Sequence, residues 1–408
     1  MIRSNYLDIN KLTCDKDVLR FFDVVANHGG VLRFVGGAVR DALKNVKSYD
    51  LNLATDLSPE ELVEACNDEG YDTVPLGIKQ SSIGVKIKNN IVEVSSLYKY
   101  VGDKDGITQI EYTDNWEEDA SRRDLTINAV YADEKGNVFD YYNGIDDLEK
   151  GYVRFIGSAT QKINEDPVRI LRYFRFYSMY GLEEPNKKAI EACRENADLL
   201  KKVPMEKIRD ELFRLIMTYH APRAYKLMQE NDVLSYIMPE AKYIDNLRFY
   251  NELAVGQSVD NEAIVRLHIL YRPDSSLAEN LSTRLKFNRA QKELFIALSN
   301  DKIPLADLLN KSKHQELVYR YGADYCKSCL LISLAETMLS PDNIWDVYQD
   351  ISRMPKIAFP LVGKDIKDTG LADSRQIGIL LKELEKRWIE SGFTLDKSQL
   401  LAQLREII

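Results

Sequence analysis

The hydrophobic pattern changes period once, near residue 142, and that change limits the fold more than any other feature. Before it, short apolar runs suited to strands fall at 32–35, 50–54, 83–88, 91–95, 107–112, 127–132 and 137–140. Helical spacing interrupts them at 15–29 and after Ser58-Pro59-Glu60-Glu61, where a capping serine precedes a first-turn proline. From about 146 onward the spacing is helical almost throughout, with breaks near Gly181–Pro185, Pro204, Pro239, Pro273, Pro304 and Pro341. The expectation is an α/β head followed by a long helical body. At 408 residues the chain exceeds a single core.

Within the head, the most informative stretch is 32–54. Leu32 to Val35 predicts a strand, and Gly36-Gly37 then opens a helix. A glycine turn before a helix presents free N–H groups and the positive end of the helix dipole, a seat for phosphate. Asp50 and Asn52 are two apart on the next strand, so both side chains leave one face. Oxygen donors beside a phosphate cradle suit a magnesium–nucleotide site. A plain turn and a solvated strand end explain the same residues. On 91–95 Glu93 points opposite to Val92 and Val94, which makes it a candidate further metal ligand. Arg122 and Arg123 stand between carboxylates before an apolar strand, as phosphate donors or as an ion-pair cluster. Further on, Pro167 is expected in a first helical turn, with Asp166 and Arg169 three apart on one face. That pair offers an acceptor and a donor to a nucleobase edge, or simply a salt bridge.

Composition excludes several alternatives. No run approaches the roughly 20 apolar residues of a membrane span. The N-terminus lacks a signal core, so a cytoplasmic protein is expected. Net charge is −9, yet residues 161–230 carry 14 Lys/Arg against 11 Asp/Glu, a local balance able to follow a phosphate backbone. Five scattered cysteines give no disulfide framework, and the single CxxC, Cys326 and Cys329, has no second pair to complete a zinc site. The four histidines are isolated, which removes histidine-based metal hydrolysis.

The order of the motifs is more specific than any one of them. GGAVRD, DLNLAT, EDASRRDLTINAVY, FDYYNGIDDLEKGYVRFIG, EDPVRILRYFRF and MEKIRDEL, then RLKFN, FPLVGKDIKDTG and IGILLKELEKRWIESGF, resemble the class II tRNA nucleotidyltransferase and bacterial poly(A) polymerase family along nearly the whole chain. The resemblance implies an α+β protein: a nucleotidyltransferase (polymerase-beta-like) head with a mixed sheet over 1–145, then all-α neck 146–215, body 216–290 and tail 291–408. It implies template-independent addition of C, C and A to tRNA 3′ ends from CTP and ATP, with two magnesium ions. By motif, Gly36, Gly37 and Arg40 match the triphosphate-binding segment and Asp50 the first metal carboxylate. Arg122, Arg123 and Asp124 match the ribose and phosphate motif. Glu165, Asp166 and Arg169 match the motif whose Asp and Arg template the incoming base, and Glu206 and Arg209 match a late neck motif. Asn128 and Arg172 join the nucleotide-binding set.

Departures from the family pattern fall in the head. The expected Asp-x-Asp is Asp50-Leu51-Asn52, which loses one negative charge and predicts weaker metal binding. Tyr98 stands where an arginine is usual, Gln80-Ser81-Ser82 replaces an HGT-like turn, and the loop at about 99–110 lacks its usual arginine and histidine. Three readings follow: a CCA-adding enzyme attenuated at Asn52, a poly(A) polymerase or partial CCA-adding enzyme, or a catalytically inactive tRNA-binding homologue.

Overall fold

The computed structural model describes residues 6–13, 15–46, 51–76, 81–104, 107–300, 302–370 and 376–407. Asp50 and Gln80 lie outside them. The chain forms two compact units, Met1–Ala241 and Lys242–Ile408.

The first unit opens with a seven-stranded mixed sheet: β1 (Leu32–Val35), β2 (Asn52–Thr55), β3 (Thr73–Pro75), β4 (Ser82–Ile87), β5 (Asn90–Ser96), then, after a separate pair of β6 (Tyr98–Lys104) and β7 (Ile107–Tyr112), β8 (Val130–Ala132) and β9 (Val138–Asp140). The spatial order is β3-β4-β5-β2-β1-β8-β9. Among the described residues of this order only β2 and β5 pair in parallel, with Asn52 opposite Glu93. Two expectations need correction. Residues 127–132 are not one strand: a 3-10 turn occupies Thr126–Asn128 before β8. Residues 98–104 form a strand as well, so the described residues of the segment at 99–110 belong to two paired antiparallel strands, with an irregular register between Tyr100 and Gly102.

Strand alternation divides the sheet into two faces. Leu32, Phe34, Leu53, Val92 and Val94 join one core with Phe21, Phe22 and Val25 of α1 (Lys16–Asn27), Val39 and Ala42 of α2 (Gly37–Leu43), and Leu62 and Ala65 of α3 (Pro59–Asp68). The other face carries Val35, Ala54 and Tyr131, packed with Trp116 and Ala120 of α4 (Trp116–Ser121). Asn52 and Glu93 alternate with Leu53, Val92 and Val94, so both belong to this second face. Ser58 and Glu61 form a reciprocal capping box at α3, as its sequence predicts.

Helices then follow: α5 (Gly144–Lys150), α6 (Ala159–Glu165), α7 (Arg169–Tyr180), α8 (Lys187–Glu195) and α9 (Met205–Ile216). Gly144 packs so close to the 3-10 turn that a β-carbon there would sit 2.2 Å from the Thr126 carbonyl oxygen. The second unit is helical among its described residues, and Trp388 anchors a cluster with Tyr319, Phe359 and Phe393. No helix among the described residues is long and apolar enough to cross a membrane.

Candidate active site

Gly36 precedes α2 with φ of +69°, a backbone that favours glycine. Its N–H bonds the Val130 carbonyl at 3.2 Å, which ties the turn to β8. A β-carbon there would lie 3.7 Å from Arg123 Nη1, so the glycine turn and the arginine motif meet. The first-turn N–H groups of α2 remain for an anion.

Arg122 and Arg123 converge on one buried carboxylate. Asp119 is fully buried, and its Oδ1 accepts from Arg122 Nε at 2.7 Å. Its Oδ2 accepts from Arg123 Nη2 at 3.1 Å and from the Tyr131 hydroxyl at 2.7 Å. Burial alone would raise the Asp119 pKa, but Arg123 and Arg122 outweigh it and hold the carboxyl below its ordinary value. The opposite face of Arg122 lies 3.6 Å over the Tyr98 ring. Tyr98 therefore supplies a flat cation-binding surface where the family pattern has a charge.

The 165–172 segment departs from the sequence expectation. Pro167 stands before the Val168 cap and outside the helix. Asp166 closes α6 with an extended backbone, φ −153°, and its Oδ1 accepts from Val168 N at 3.2 Å. Asp166 and Arg169 therefore do not share a helix face. Arg169 donates to Glu165 Oε2 at 2.6 Å, to the Lys162 carbonyl at 3.1 Å and to the Arg122 carbonyl at 3.1 Å. Lys162, buried, donates to the Ser121 carbonyl at 2.7 Å, and burial lowers its pKa. Two cations, one on α6 and one on α7, thus hold the successive carbonyls of Ser121 and Arg122.

Asp124 is buried and accepts from Arg172 Nε at 2.6 Å and from the Asn128 amide at 3.0 Å. Despite burial, Arg172 keeps it well below the usual carboxylate range. Arg40 was matched to the triphosphate segment, but the residue is 6% exposed and its guanidinium bonds protein groups: Asn128, Asp41 and Tyr180. Burial pushes the Tyr180 phenol up to about 12, so it stays protonated at neutral pH. Glu206 and Arg209 lie on α9, where Arg209 bonds Asp210 at 2.7 Å.

Asn52 and Glu93 are partners in the parallel pair, about 4.8 Å apart by strand spacing. One amide oxygen and one carboxylate suit a hard divalent cation, with a single formal charge between them. Among the described residues no group of three or more His, Cys, Asp or Glu could hold a metal. Sequence reasoning missed Asp41, Lys162, Tyr180 and Glu211, which accepts from Arg175 Nε at 2.7 Å; Asp119 entered it only as one of the carboxylates flanking the arginines, three and four residues before them.

Residues 32–154 match the poly A polymerase head domain, and residues 184–244 match a probable RNA and SrmB-binding site of polymerase A. The chain is 30% identical over 383 residues to the mitochondrial CCA tRNA nucleotidyltransferase 1 of Homo sapiens, covering 92% of this chain and 86% of that one. It is 26% identical to the CCA-adding enzyme of Lactobacillus johnsonii over 88% of each chain. In fold it is similar to the Bacillus stearothermophilus CCA-adding enzyme in complex with CTP, with a TM-score of 0.79 and 22% identity over 96% of both chains. It is also similar to the Thermotoga maritima CCA-adding enzyme complexed with tRNA, with a TM-score of 0.68 and 18% identity over 100% of this chain and 99% of that one. The mixed-sheet head, the glycine turn facing paired arginines and the extent of these likenesses lead to one conclusion: the chain belongs to the CCA-adding tRNA nucleotidyltransferase family.

Proposed function

We propose that this chain adds C, C and A to tRNA 3′ ends from CTP and ATP without a nucleic-acid template, at a rate attenuated by Asn52. The observation that supports it is the meeting of the Gly36 turn with Arg123 beside a hydrogen-bonded base-reading segment. The tRNA 3′-hydroxyl attacks the α-phosphate and pyrophosphate leaves, so the protein's part is mainly positioning. The first turn of α2 and Arg123 hold phosphates. Asp166 accepts and Arg169 donates along the base edge. Cytosine and adenine both present an amino donor beside a ring-nitrogen acceptor, whereas uracil and guanine present the reverse, which separates the two pairs. Asn52, Glu93 and, from the sequence motif, Asp50 would hold magnesium. When bound, the metal lowers the hydroxyl's pKa and neutralises leaving-group charge.

The functional segments we assign are head 1–145, neck 146–215, body 216–290 and tail 291–408, the tail binding tRNA. A cytoplasmic location belongs to the same proposal; the buried thiols of Cys66, Cys193 and Cys326 suit a reducing compartment.

The test is incorporation of labelled CTP and ATP into tRNA lacking its 3′ end, with magnesium and then manganese, for the wild type and Asn52→Asp. Completion of CCA by both, with the Asp variant at least tenfold faster, is expected. Equal rates refute attenuation. Tails of adenylate alone favour a poly(A) polymerase. Binding without incorporation by either protein leaves a tRNA-binding homologue.

A further inference from the structure

A path of hydrogen bonds leaves α7 and returns to it. Arg172 Nε donates to Asp124 Oδ2 at 2.6 Å, and Asp124 Oδ1 accepts from the Asn128 amide at 3.0 Å. Asn128 Oδ1 accepts from Arg40 Nη1 at 2.6 Å, and Arg40 Nε donates to the Tyr180 hydroxyl oxygen at 2.9 Å. Tyr180 lies about two turns beyond Arg172 on the same helix. Its hydroxyl donates to Asp41 Oδ1 at 2.7 Å, which also accepts from Arg40 Nη2 at 2.8 Å. Between the two ends, the Phe176 ring lies 4.8 Å from the Arg40 guanidinium and 5.6 Å from that of Arg172.

The polarity of the path dictates its residues. Arginine only donates and an ionised aspartate only accepts. A side chain joining Arg40 to Asp124 must accept on one side and donate on the other, as the Asn128 amide does. Arg40 in turn directs Nε, Nη1 and Nη2 to protein acceptors. Three of its five N–H groups are thereby engaged, and with the residue only 6% exposed a phosphate has little access to the other two.

We infer that Arg40, Asn128 and Tyr180, with Asp41, are positioning residues that lock the base-reading helix α7 to α2, the helix whose first turn receives the triphosphate. Arg40 acts through this lock and not as a phosphate ligand. The inference rests on the nucleotidyltransferase reading above. Base choice at Asp166 and Arg169 depends on how α7 is rotated and seated, and a lock near its far end fixes both.

Tyr180→Phe removes the hydroxyl while keeping a ring to stack on Phe176, 6.2 Å away between centroids. Asp41→Asn removes the charge at the same corner, and Arg40→Lys keeps a charge but loses the fork. For each, kcat and KM are measured with CTP and with UTP on tRNA lacking its 3′ end. Affinity for inorganic tripolyphosphate is measured by calorimetry, and amide exchange along α7 by mass spectrometry. The lock predicts that Tyr180→Phe lowers CTP preference over UTP about fivefold, leaves tripolyphosphate affinity unchanged and speeds exchange at the end of α7. Unchanged preference in both Tyr180→Phe and Asp41→Asn overturns it. So does an Arg40→Lys variant that loses tripolyphosphate affinity while keeping its base preference. A wild type that incorporates nothing refutes the functional reading instead; the lock is then judged on exchange, and unchanged α7 protection in Tyr180→Phe overturns it.

Discussion

Replacing Asp119 with asparagine should unfold the head at markedly lower denaturant, because the carboxylate carries the charge that two arginines answer. Its Oδ1 accepts from Arg122 at 2.7 Å, while Oδ2 accepts from Arg123 at 3.1 Å and Tyr131 at 2.7 Å. An asparagine amide must turn its NH2 toward one of these sides, so at least one arginine donor meets another donor. Removing one partner of a buried pair costs about 3–5 kcal/mol. Both arginine side chains retain some exposure, 18% and 17%, which places the expected cost at the lower end, about 3 kcal/mol. With a urea slope of about 2 kcal/mol per molar, the midpoint falls by roughly 1.5 M. The assay is urea unfolding followed by Trp116, whose ring centroid lies 5.4 Å from that of Tyr131, in a background where Trp345 and Trp388 are phenylalanine. Tyr131→Phe loses the bond donated to Asp119 at 2.7 Å and the one accepted from Arg123 Nε at 3.1 Å, and should cost about 2 kcal/mol. pH adds an independent check. A carboxyl held below its ordinary 3.8 in the folded state contributes stability above that value and loses it as pH falls through the lower folded value. The wild-type advantage should therefore shrink in acid below pH 3.8 and persist at neutral pH. A neutral-pH cost under 1 kcal/mol for Asp119→Asn would refute this account.

Glu165→Gln removes the charge partner that Arg169 holds at 2.6 Å. CTP preference over UTP should fall about tenfold with little change in melting temperature, measured by single-nucleotide incorporation; an unchanged ratio would mean that Glu165 does not orient the base-reading arginine. In the second unit, burial holds His268 down at about 3, so the folded state resists protonation that the unfolded chain accepts below 6.5. Stability of this unit should be complete above pH 6.5 and decline as pH falls toward 3, by several kcal/mol in all. His268→Phe should flatten that slope in urea titrations, and a slope that persists would assign it to other groups.

The alternation that buries Leu32 and Phe34 on one face and turns Asn52 and Glu93 to the other was legible because strand spacing alone fixes it. The prolines that predicted helix breaks do fall between helices or cap them, as Pro204 caps α9 and Pro304 caps Leu305–Leu309. β6 was missed because YKYVGDK alternates weakly and carries Gly102 at a φ of +142°. The 127–129 segment looks like strand because Ile127 and Ala129 are apolar, yet their burial comes from a 3-10 turn under α5. Asp166 and Arg169 were placed on one helix face by spacing alone: three residues suit a helix, but Asp166 lies outside it and Arg169 bonds Glu165 instead. Arg40 and Tyr180 are 140 residues apart, and no local pattern announces that the fold brings them together.

The arginines of α7 explain why charge is buried in a helix that could have been apolar. Arg169, Arg172 and Arg175 recur every third residue, so each is rotated about 60° from the last around the helix. Each meets a carboxylate from a different place: Glu165 of α6, Asp124 of the arginine motif and Glu211 of α9, at 2.6, 2.6 and 2.7 Å. Buried pairs of this kind add little net stability, since desolvation consumes most of the attraction. A ring of apolar side chains would bind α7 as firmly but tolerate rotation and sliding. Three pairs at three azimuths do not: turning the helix by one residue, about 100°, breaks all of them and strands two buried carboxylates, Asp124 and Glu211, and the half-buried Glu165. On the reading proposed above, in which protein side chains select the base, that angular definition matters more than stability, and the three pairs supply it.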